Sequence, residues 1–584
     1  ALGHNALEAN TTANNNTAVG KSALAANTTG TANVAVGKNA LDVNTTGSTN
    51  TATGSDSLGG NTTGGSNTAF GQAALESNTT ASFNTGVGRN SLALNTTGAN
   101  NTAVGYASLV ANTTGAENTA VGARAGQAIT TGVENTLIGG EAGDALTDAD
   151  YNVAIGYQSL TTDTLGSQSV AIGHRALANQ NFSSATNSLN TAVGYVAGVS
   201  ITTGTNNTLL GNVAGSSITT GTQNTFVGAS AGDALTTGSF NTTIGGKSLS
   251  GATTGAQNFA GGYQALESNT TGSNNVGVGV NALRVNTTAS NNTAVGHSSL
   301  GANTTASNST ALGSSALATN TTGTQNTAVG TNALKLTTTG INNVSVGVNA
   351  LFENTTASNN TAVGASALQL NTTGTENVAV GKQAGSSVTT GNRNTLIGSL
   401  AGDSVVDGSD NVAIGYDVDV ASSLANSITL GSSISATGSN DFSFGKASNV
   451  VTNNFDADAN WSRSSDIRKK RNVKDDNLGL SFINNLRPVT FQWKPSNEFP
   501  KEWNEYSEEN NMNLEAIMHG MIAQEVKEAL DKEGVDTFAG WSVNNDGMQR
   551  LSREMFITPL INAVQELSTQ VDELKTEIKI LKEE

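Results

Sequence analysis

A glycine recurs every 17 residues along most of this 584-residue chain. The series runs from Gly3 to Gly173, resumes at Gly194, continues to Gly415, and ends with shorter steps to Gly431 and Gly445. Because long stretches of this series contain no insertion or deletion, each unit must stack on the previous one in a fixed register. The spacing therefore limits residues 1–445 to a repetitive fold of stacked units.

The repeat reads x-x-A-L-x-x-N-T-T-G-x-x-N-T-A-V-G, with positions numbered 1 to 17, as in Lys21 to Gly37. A period-2 segment, N-T-A-V-G, and a second segment around A-L are separated by Asn, Gly and Thr, which are typical of turns. The repeat is too short for a helical hairpin but suits two strands and two turns. We therefore predict a mainly β fold, a long parallel β-solenoid or β-roll with one 17-residue coil per repeat.

Two kinds of repeat differ in where they place one large apolar residue. Most have Leu at position 4 and Asn at position 7, as in Leu24 and Asn27, whereas others have Gly and then an apolar residue. This exchange predicts one interior apolar site per coil, filled from either side of a turn, because emptying such a site costs about 2–5 kcal/mol. The pairs of the second kind are Gly126/Ile129, Gly143/Leu146, Gly198/Ile201, Gly215/Ile218, Gly232/Leu235, Gly385/Val388 and Gly402/Val405.

Composition excludes several classes of protein. The absence of Cys excludes disulfide frameworks and thiolate metal sites, and the net charge of −18 argues against sequence-independent DNA binding. We therefore expect no nucleic-acid binding. No apolar run is long enough for a membrane-spanning helix, so we expect no membrane insertion either. We expect no cofactor and no metal site. The one acidic group, Glu141, Asp144, Asp148 and Asp150, is interpreted as a solvated turn, with cation binding as the alternative.

Some repeats show a finer pattern. Asn152-Val153-Ala154-Ile155-Gly156 and Ser169-Val170-Ala171-Ile172-Gly173 resemble the coils of trimeric autotransporter adhesin heads, which read roughly S-x-A-I-G-x-x-A-x-A. The resemblance implies a left-handed parallel β-roll in a homotrimer. The 17-residue period is longer than is usual in that family, which leaves the turn geometry open.

The composition changes after residue 445, since all 4 Pro and all 4 Trp lie beyond it. The C-terminal segment contains, in order, S-D-I-R-K-K from Ser465, L-R-P-V-T-F-Q-W-K from Leu486, and G-M-I-A-Q-E-V from Gly520. These motifs resemble the endosialidase-type intramolecular chaperone of phage tail fibres and tailspikes, from Ser465 to the end of the chain. The resemblance implies a domain that trimerises, drives folding of the preceding β-fibre and is then released by self-cleavage.

The first of these motifs contains a candidate dyad. A serine hydroxyl such as that of Ser465 is a weak nucleophile and needs a base, and a lysine held near other cations can supply one. Lys470 lies five residues on, among Arg468, Lys469 and Arg471, which disfavour its charged form. Taken from the dyad alone, a basic solvated loop is the favoured interpretation.

The resemblance assigns roles to these residues. It maps the nucleophile to Ser465, its partner to Lys470 and the cut to the Ser465–Asp466 bond. The implied activity is a single-turnover self-cleaving serine endopeptidase without activity on other proteins. Ser464 is an adjacent decoy, and we interpret Glu525 and His519 as structural.

The chain ends in a heptad pattern. Apolar residues alternate at spacings of three and four, which indicates a helical coiled coil. One core position is taken by Ile557, Val564, Val571 and Ile578, and the other by Leu560, Leu567, Leu574 and Leu581. A shorter amphipathic helix is predicted before it, with Ile522, Val526 and Leu530 on one face.

We therefore predict four segments: a solenoid shaft over 1–445, a linker over 446–465, a chaperone domain over 466–556 and a coiled coil over 557–584. The chain begins within a repeat and without Met, so we expect a longer protein. The leading hypothesis is a homotrimeric tail fibre or tailspike shaft of a virion, which adheres to a host glycan or protein receptor. The alternatives are a bacterial cell-surface adhesin with the same chaperone, or a fragment of a polysaccharide depolymerase, which needs paired carboxylates.

Overall fold

The computed structural model describes residues 1–447, 449–454, 465–503, 506–510, 512 and 514–584. The chain divides into two compact units, residues 1–463 and 464–584. Most of the predicted linker, 446–465, lies outside the described residues, as does Ser464.

The first unit is a β-solenoid of about 25 turns with 17-residue coils, which confirms the predicted fold class. Equivalent residues of consecutive coils pair in parallel, as Ala18 does with Ala35. The resulting sheet has 27 strands. Its last strand, Asn449–Asn454, is antiparallel to Asp441–Lys446 and pairs with the edge that the last parallel strand would otherwise leave open.

The strands of the first unit are short and follow each other at the repeat spacing. They are β1 (Thr17–Val19), β2 (Val34–Val36), β3 (Thr51–Thr53), β4 (Thr68–Phe70), β5 (Thr85–Val87), β6 (Thr102–Val104), β7 (Thr119–Val121), β8 (Thr136–Ile138), β9 (Val153–Ile155), β10 (Gly166–Ser167), β11 (Val170–Ile172), β12 (Thr186–Asn187), β13 (Thr191–Val193), β14 (Thr208–Leu210), β15 (Thr225–Val227), β16 (Thr242–Ile244), β17 (Phe259–Gly261), β18 (Val276–Val278), β19 (Thr293–Val295), β20 (Thr310–Leu312), β21 (Thr327–Val329), β22 (Val344–Val346), β23 (Thr361–Val363), β24 (Val378–Val380), β25 (Thr395–Ile397), β26 (Val412–Tyr416), β27 (Ile428–Ser432), β28 (Asp441–Lys446) and β29 (Asn449–Asn454). All belong to the main sheet except β10 and β12, which pair with each other beside the insertion between Gly173 and Gly194.

The prediction of two strands per coil is wrong, because a typical coil has one strand, at positions 14 to 16. The A-L segment forms a turn instead, in which Ser22 and Leu24 adopt φ values of 60° and 53°. Ala32, before the strand, has a φ of 57°. This left-handed conformation costs about 1–2 kcal/mol per residue for an L-amino acid. Burial of Leu24 and a hydrogen bond from its N–H to Ala40 O, at 3.0 Å, offset that cost.

The asparagines at positions 7 and 13 form two buried ladders, while the positive φ values occur at other positions, some of them also asparagines, such as Asn39 at position 2 with a φ of 56°. At position 7, Asn44 Nδ2 donates to Asn27 Oδ1 at 2.8 Å and to Gly47 O at 3.0 Å. At position 13, Asn33 Oδ1 accepts from the Asn50 N–H at 2.9 Å. These bonds satisfy backbone groups of the turns that would otherwise be buried without partners.

The interior apolar site has two sources, as predicted. Leu24 at position 4 and Ile129 at position 7 are both fully buried. A Cβ built on Gly126 would lie 3.2 Å from Ile129 Cδ1, so the isoleucine reaches towards the space that a position-4 side chain occupies elsewhere. The exchange also interrupts the position-7 ladder, which leaves Asn112 Oδ1 buried without a partner among the residues that the structure describes.

A third residue takes part in the exchange, and the repeat pattern alone does not indicate it. Position 15 points inward and usually holds a small residue, but Leu137 lies there between Gly126 and Gly143. A Cβ on either glycine would come within 2.8 Å of a Leu137 methyl carbon. Wherever two glycine coils are consecutive, the strand between them has such a large residue: Leu137, Leu209, Phe226 and Leu396.

The glycine at position 17 is required by the approach of neighbouring coils. Gly139 has a φ of 136°, and a Cβ built on it would lie 2.5 Å from Gly156 O. The same contact, with the glycine of the next coil, recurs along the series from Gly3 onward. Only a residue without a Cβ adopts this conformation at this distance without strain.

The second unit is a small α+β domain, as predicted. Its helices are α1 (Leu480–Asn485), α2 (Ala523–Lys532) and α3 (Ile557–Glu583); its strands are β30 (Val489–Phe491), β31 (Met518–Gly520), β32 (Trp541–Val543) and β33 (Gln549–Leu551); and its 3₁₀ turns are Ile467–Lys469, Ser496–Glu498 and Arg553–Phe556. Strands β30 and β31 pair antiparallel, as do β32 and β33. The core contains Leu478, Phe482, Val526, Ala529, Leu530 and Phe556.

Helix α2 contains the predicted amphipathic face, with Val526 and Leu530 buried, while Ile522 precedes the helix and is exposed. Helix α3 contains the heptad pattern, and its two core positions are exposed in the single chain. In the part of the chain that the structure describes, no helix combines the length and the apolar character needed to cross a bilayer.

The position-17 glycines provide a first test, because Gly139 and Gly140 are neighbours with different surroundings. A Cβ on Gly140 would meet only the Tyr157 ring, at 3.4 Å. We expect Gly139→Ala to lower the free energy of unfolding by about 1–3 kcal/mol or more, and Gly140→Ala to change it little. Urea unfolding followed by circular dichroism measures both, and equal midpoints for the two variants would contradict the contact.

The coupling between Phe226 and Gly232 provides a second test. A Cβ on Gly232 would lie 2.3 Å from Phe226 Cε2, so Gly232→Ala should destabilise the solenoid by forcing this ring to move. In the background of Phe226→Ala the same change should cost less, with a coupling energy of about 0.5–3 kcal/mol. Additive effects in this double-mutant cycle would show that the two positions do not share one space.

Candidate self-cleavage site

The two predicted catalytic residues lie side by side. Asp466 caps the 3₁₀ turn Ile467–Lys469, because its Oδ1 accepts from the Arg468 N–H at 2.8 Å. The turn brings Lys470 Nζ within 2.8 Å of Ser465 Oγ. Five residues in extended conformation span roughly 16 Å, so this local turn is what makes the contact possible.

The contact has the geometry of a nucleophile and its base. In the structure the lysine donates to Ser465 Oγ. As a base, Lys470 must first lose a proton, after which its amine accepts the hydroxyl proton over the same distance. Ser465 and Lys470 are both exposed in the single chain, so water has access to the dyad.

The electrostatic surroundings differ from the prediction for one residue. Arg468 was expected to disfavour the charge on Lys470, but its guanidinium pairs with Asp466, with Nη2 to Oδ2 at 2.6 Å. The hydrogen bonds from Arg468 lower the pKa of the Asp466 carboxyl. The Asp466 carboxylate therefore offsets part of the effect of the Arg468 charge on Lys470, and Lys469 and Arg471 are the other neighbouring cations. The D-x-R spacing was the sequence signal for this pair.

Glu525 and His519, which we interpret as structural, lie on α2 and β31. The Glu525 carboxylate forms a bidentate pair with the Arg487 guanidinium, which lowers the pKa of Glu525. Arg487 belongs to the L-R-P-V motif and Glu525 to the A-Q-E-V motif, so the ion pair joins two motifs that are distant in sequence. His519 is the exposed central residue of β31 and pairs with Thr490.

The acidic group of the solenoid lies within one coil, residues 140–156, and its carboxylates bond to the neighbouring coils. Asp144 Oδ1 accepts from Thr161 Oγ1, and Asp150 Oδ1 accepts from the Val133 N–H at 2.8 Å. Burial raises the pKa of Asp144. Each carboxylate has its own hydrogen-bond partner on an adjacent coil, so these contacts connect stacked turns. No cluster of three or more potential ligands for a metal ion is found in residues 1–447 or in the other described ranges.

Comparison with known families bears on the second unit. The family model described as "Chaperone of endosialidase" matches residues 465–535. The match begins at the candidate nucleophile and extends through α1, β30, β31 and α2, but it is shorter than the expected resemblance to the end of the chain. A search of curated proteins found no similar protein. Residues 465–535 thus resemble the endosialidase chaperone, and they follow a β-solenoid in the same chain.

Proposed function

We propose that this protein is a homotrimeric fibre or tailspike shaft whose C-terminal chaperone drives trimer folding and is then removed by autoproteolysis. The chaperone match at residues 465–535, next to a long β-solenoid, is the observation that carries this proposal. We place the fibre on a virion, where it adheres to a glycan or protein receptor of the host. This placement rests on the resemblance to phage tail fibres and tailspikes.

The surface of α3 supports association of several copies; its β-branched and Leu core positions alone favour a dimer, and the proposed number of three comes from the chaperone family. The heptad residues Leu560, Leu567 and Leu574 are 51%, 49% and 55% exposed in the single chain. A helix with a sustained heptad stripe buries it against other helices, and the alternative is an apolar patch in water. Two further copies of the same helix cover this stripe in the proposed trimer, in agreement with the trimeric state of endosialidase-chaperone proteins.

The dyad supports a single self-cleavage. The Lys470 amine takes the hydroxyl proton of Ser465, and Oγ adds to the carbonyl carbon of a Ser465–Asp466 bond. Attack on its own carbonyl would close a strained four-membered ring, so we assign the attack to a neighbouring copy in the trimer. The bond to the Asp466 nitrogen breaks, that nitrogen takes up the proton, and water hydrolyses the resulting ester. This trans arrangement makes cleavage depend on assembly.

The helix surface can be tested with a matched pair of variants. Leu574 in the heptad and Ile580 outside it are both 55% exposed in the single chain. We expect Leu574→Asp to prevent trimer formation and to reduce the yield of soluble, folded solenoid, since the charge would be buried between helices. Ile580→Asp should leave both unchanged. Native mass measurement gives the number of copies, and the soluble fraction after expression reports folding. Trimers of Leu574→Asp would show that the heptad face of α3 is not needed for assembly.

Self-cleavage can be tested by intact-mass spectrometry. The wild-type chain of 58.9 kDa should give fragments 1–465 and 466–584, whereas Ser465→Ala and Lys470→Ala should remain intact. Ser464→Ala and Lys469→Ala are the matched controls and should still be cut. A Lys470→Ala variant that cleaves would refute the dyad.

Mixed trimers test the direction of attack. An affinity-tagged Ser465→Ala chain is co-expressed with the wild type. Although it lacks its own hydroxyl, we expect a wild-type copy in the same trimer to cut it after position 465. If the tagged chain stays intact in mixed trimers while the wild type is cleaved, attack within one chain is the correct mechanism.

A further inference from the structure

The outer face of the solenoid sheet carries an apolar side chain in almost every coil. In each three-residue strand the central residue points inward, and the residues at positions 14 and 16 point outward. Position 14 is Thr, Val or Phe throughout β1–β9, β11 and β13–β25. Position 16 in the same strands is Val, Ile, Leu or Phe, except at Thr53 and Gly261. No charged residue occurs at either position in these strands.

These outward side chains are partly or largely exposed in the single chain. Val36, Ile138 and Val295 at position 16 are 37%, 38% and 38% exposed, and Phe70 is 58% exposed. The charged residues of the repeat lie elsewhere, for example at position 1 in Lys21 and Lys38. The largest apolar patches on monomeric proteins rarely exceed a few hundred Å². A stripe that extends along the whole solenoid is far larger than that.

The size of the stripe fits one class of partner. A standard protein–protein interface uses about 20–30 residues from each side. One apolar side chain per coil over about 25 turns supplies that number. Because the stripe repeats with the coil, the surface that matches it best along its length has the same period, which is another copy of this chain.

We infer that this sheet face, positions 14 and 16 of β1–β9, β11 and β13–β25, is the interface between the solenoids of neighbouring copies. The inference rests on the proposed trimer but goes further, because it gives the shaft its own interface, separate from α3. Once residues 466–584 are released, α3 is lost with them. The copies then remain together through the sheet face alone.

The absence of Cys from the chain allows this inference to be tested by cross-linking. Val36 at position 16 and Val43 at position 6 belong to adjoining coils and are 37% and 40% exposed. Single Val36→Cys and Val43→Cys substitutions in the full chain are treated with bismaleimidoethane and separated on denaturing gels. Native mass measurement runs alongside, on the intact protein and on the products of cleavage.

We expect cross-linked dimers from Val36→Cys and uncross-linked chains from Val43→Cys, with trimers by native mass before and after cleavage. If native mass shows trimers but Val43→Cys cross-links and Val36→Cys does not, the inferred face is wrong while the proposed trimer stands. Trimers that fall apart into monomers after cleavage would also overturn the inference. Monomers before cleavage would refute the proposed trimer itself, and the interface with it.

Discussion

Close backbone contact between residues 17 positions apart is the constraint on which the solenoid depends. At position 17 the carbonyl of one glycine lies where the Cβ of the preceding coil's residue would be, as Gly156 O does for Gly139. Any larger residue would push two coils apart and break the parallel hydrogen bonds on both sides. The spacing also aligns the asparagine ladders, which satisfy the buried polar groups of the turns. A change of one residue in the period would misalign all of these contacts together.

The interior is thin, so its volume is shared between positions rather than assigned to one. Leu at position 4 is replaced by Gly where position 7 is apolar. Where two consecutive coils both have this Gly, the strand between them fills the space with Leu137, Leu209, Phe226 or Leu396. Close-packed interiors tolerate such exchanges when the total volume is kept. The repeats can therefore differ in sequence while the coil keeps its dimensions.

Two apolar surfaces remain exposed in the single chain, the heptad face of α3 and the outer face of the solenoid sheet. In the proposed function they act at different times. The helix brings three copies together while the solenoid folds, and the sheet face holds them after the chaperone is released. The proposal thus gives a removable domain and a permanent interface separate tasks in one chain. In the same proposal self-cleavage follows assembly, since the dyad would attack a neighbouring copy.

The sequence by itself determined the solenoid, its period, the heptad helix and the pairing of Leu24-type with Ile129-type sites. Strict repetition makes these features readable, because the same contact must be satisfied in every coil. The tertiary structure decided the backbone conformations that the local sequence disfavours. Leu24 and Ser22 adopt positive φ although neither residue type favours it, since burial and hydrogen bonds to the neighbouring coils outweigh the local cost.

The candidate site shows the same division. The motif order indicated Ser465 and Lys470, but their 2.8 Å contact depends on the 3₁₀ turn that Asp466 caps. The same carboxylate pairs with Arg468, which the sequence had placed among the cations acting on Lys470. Sequence lists the charges near a residue, whereas only the folded chain decides which of them are already paired, because pairing depends on distances between side chains.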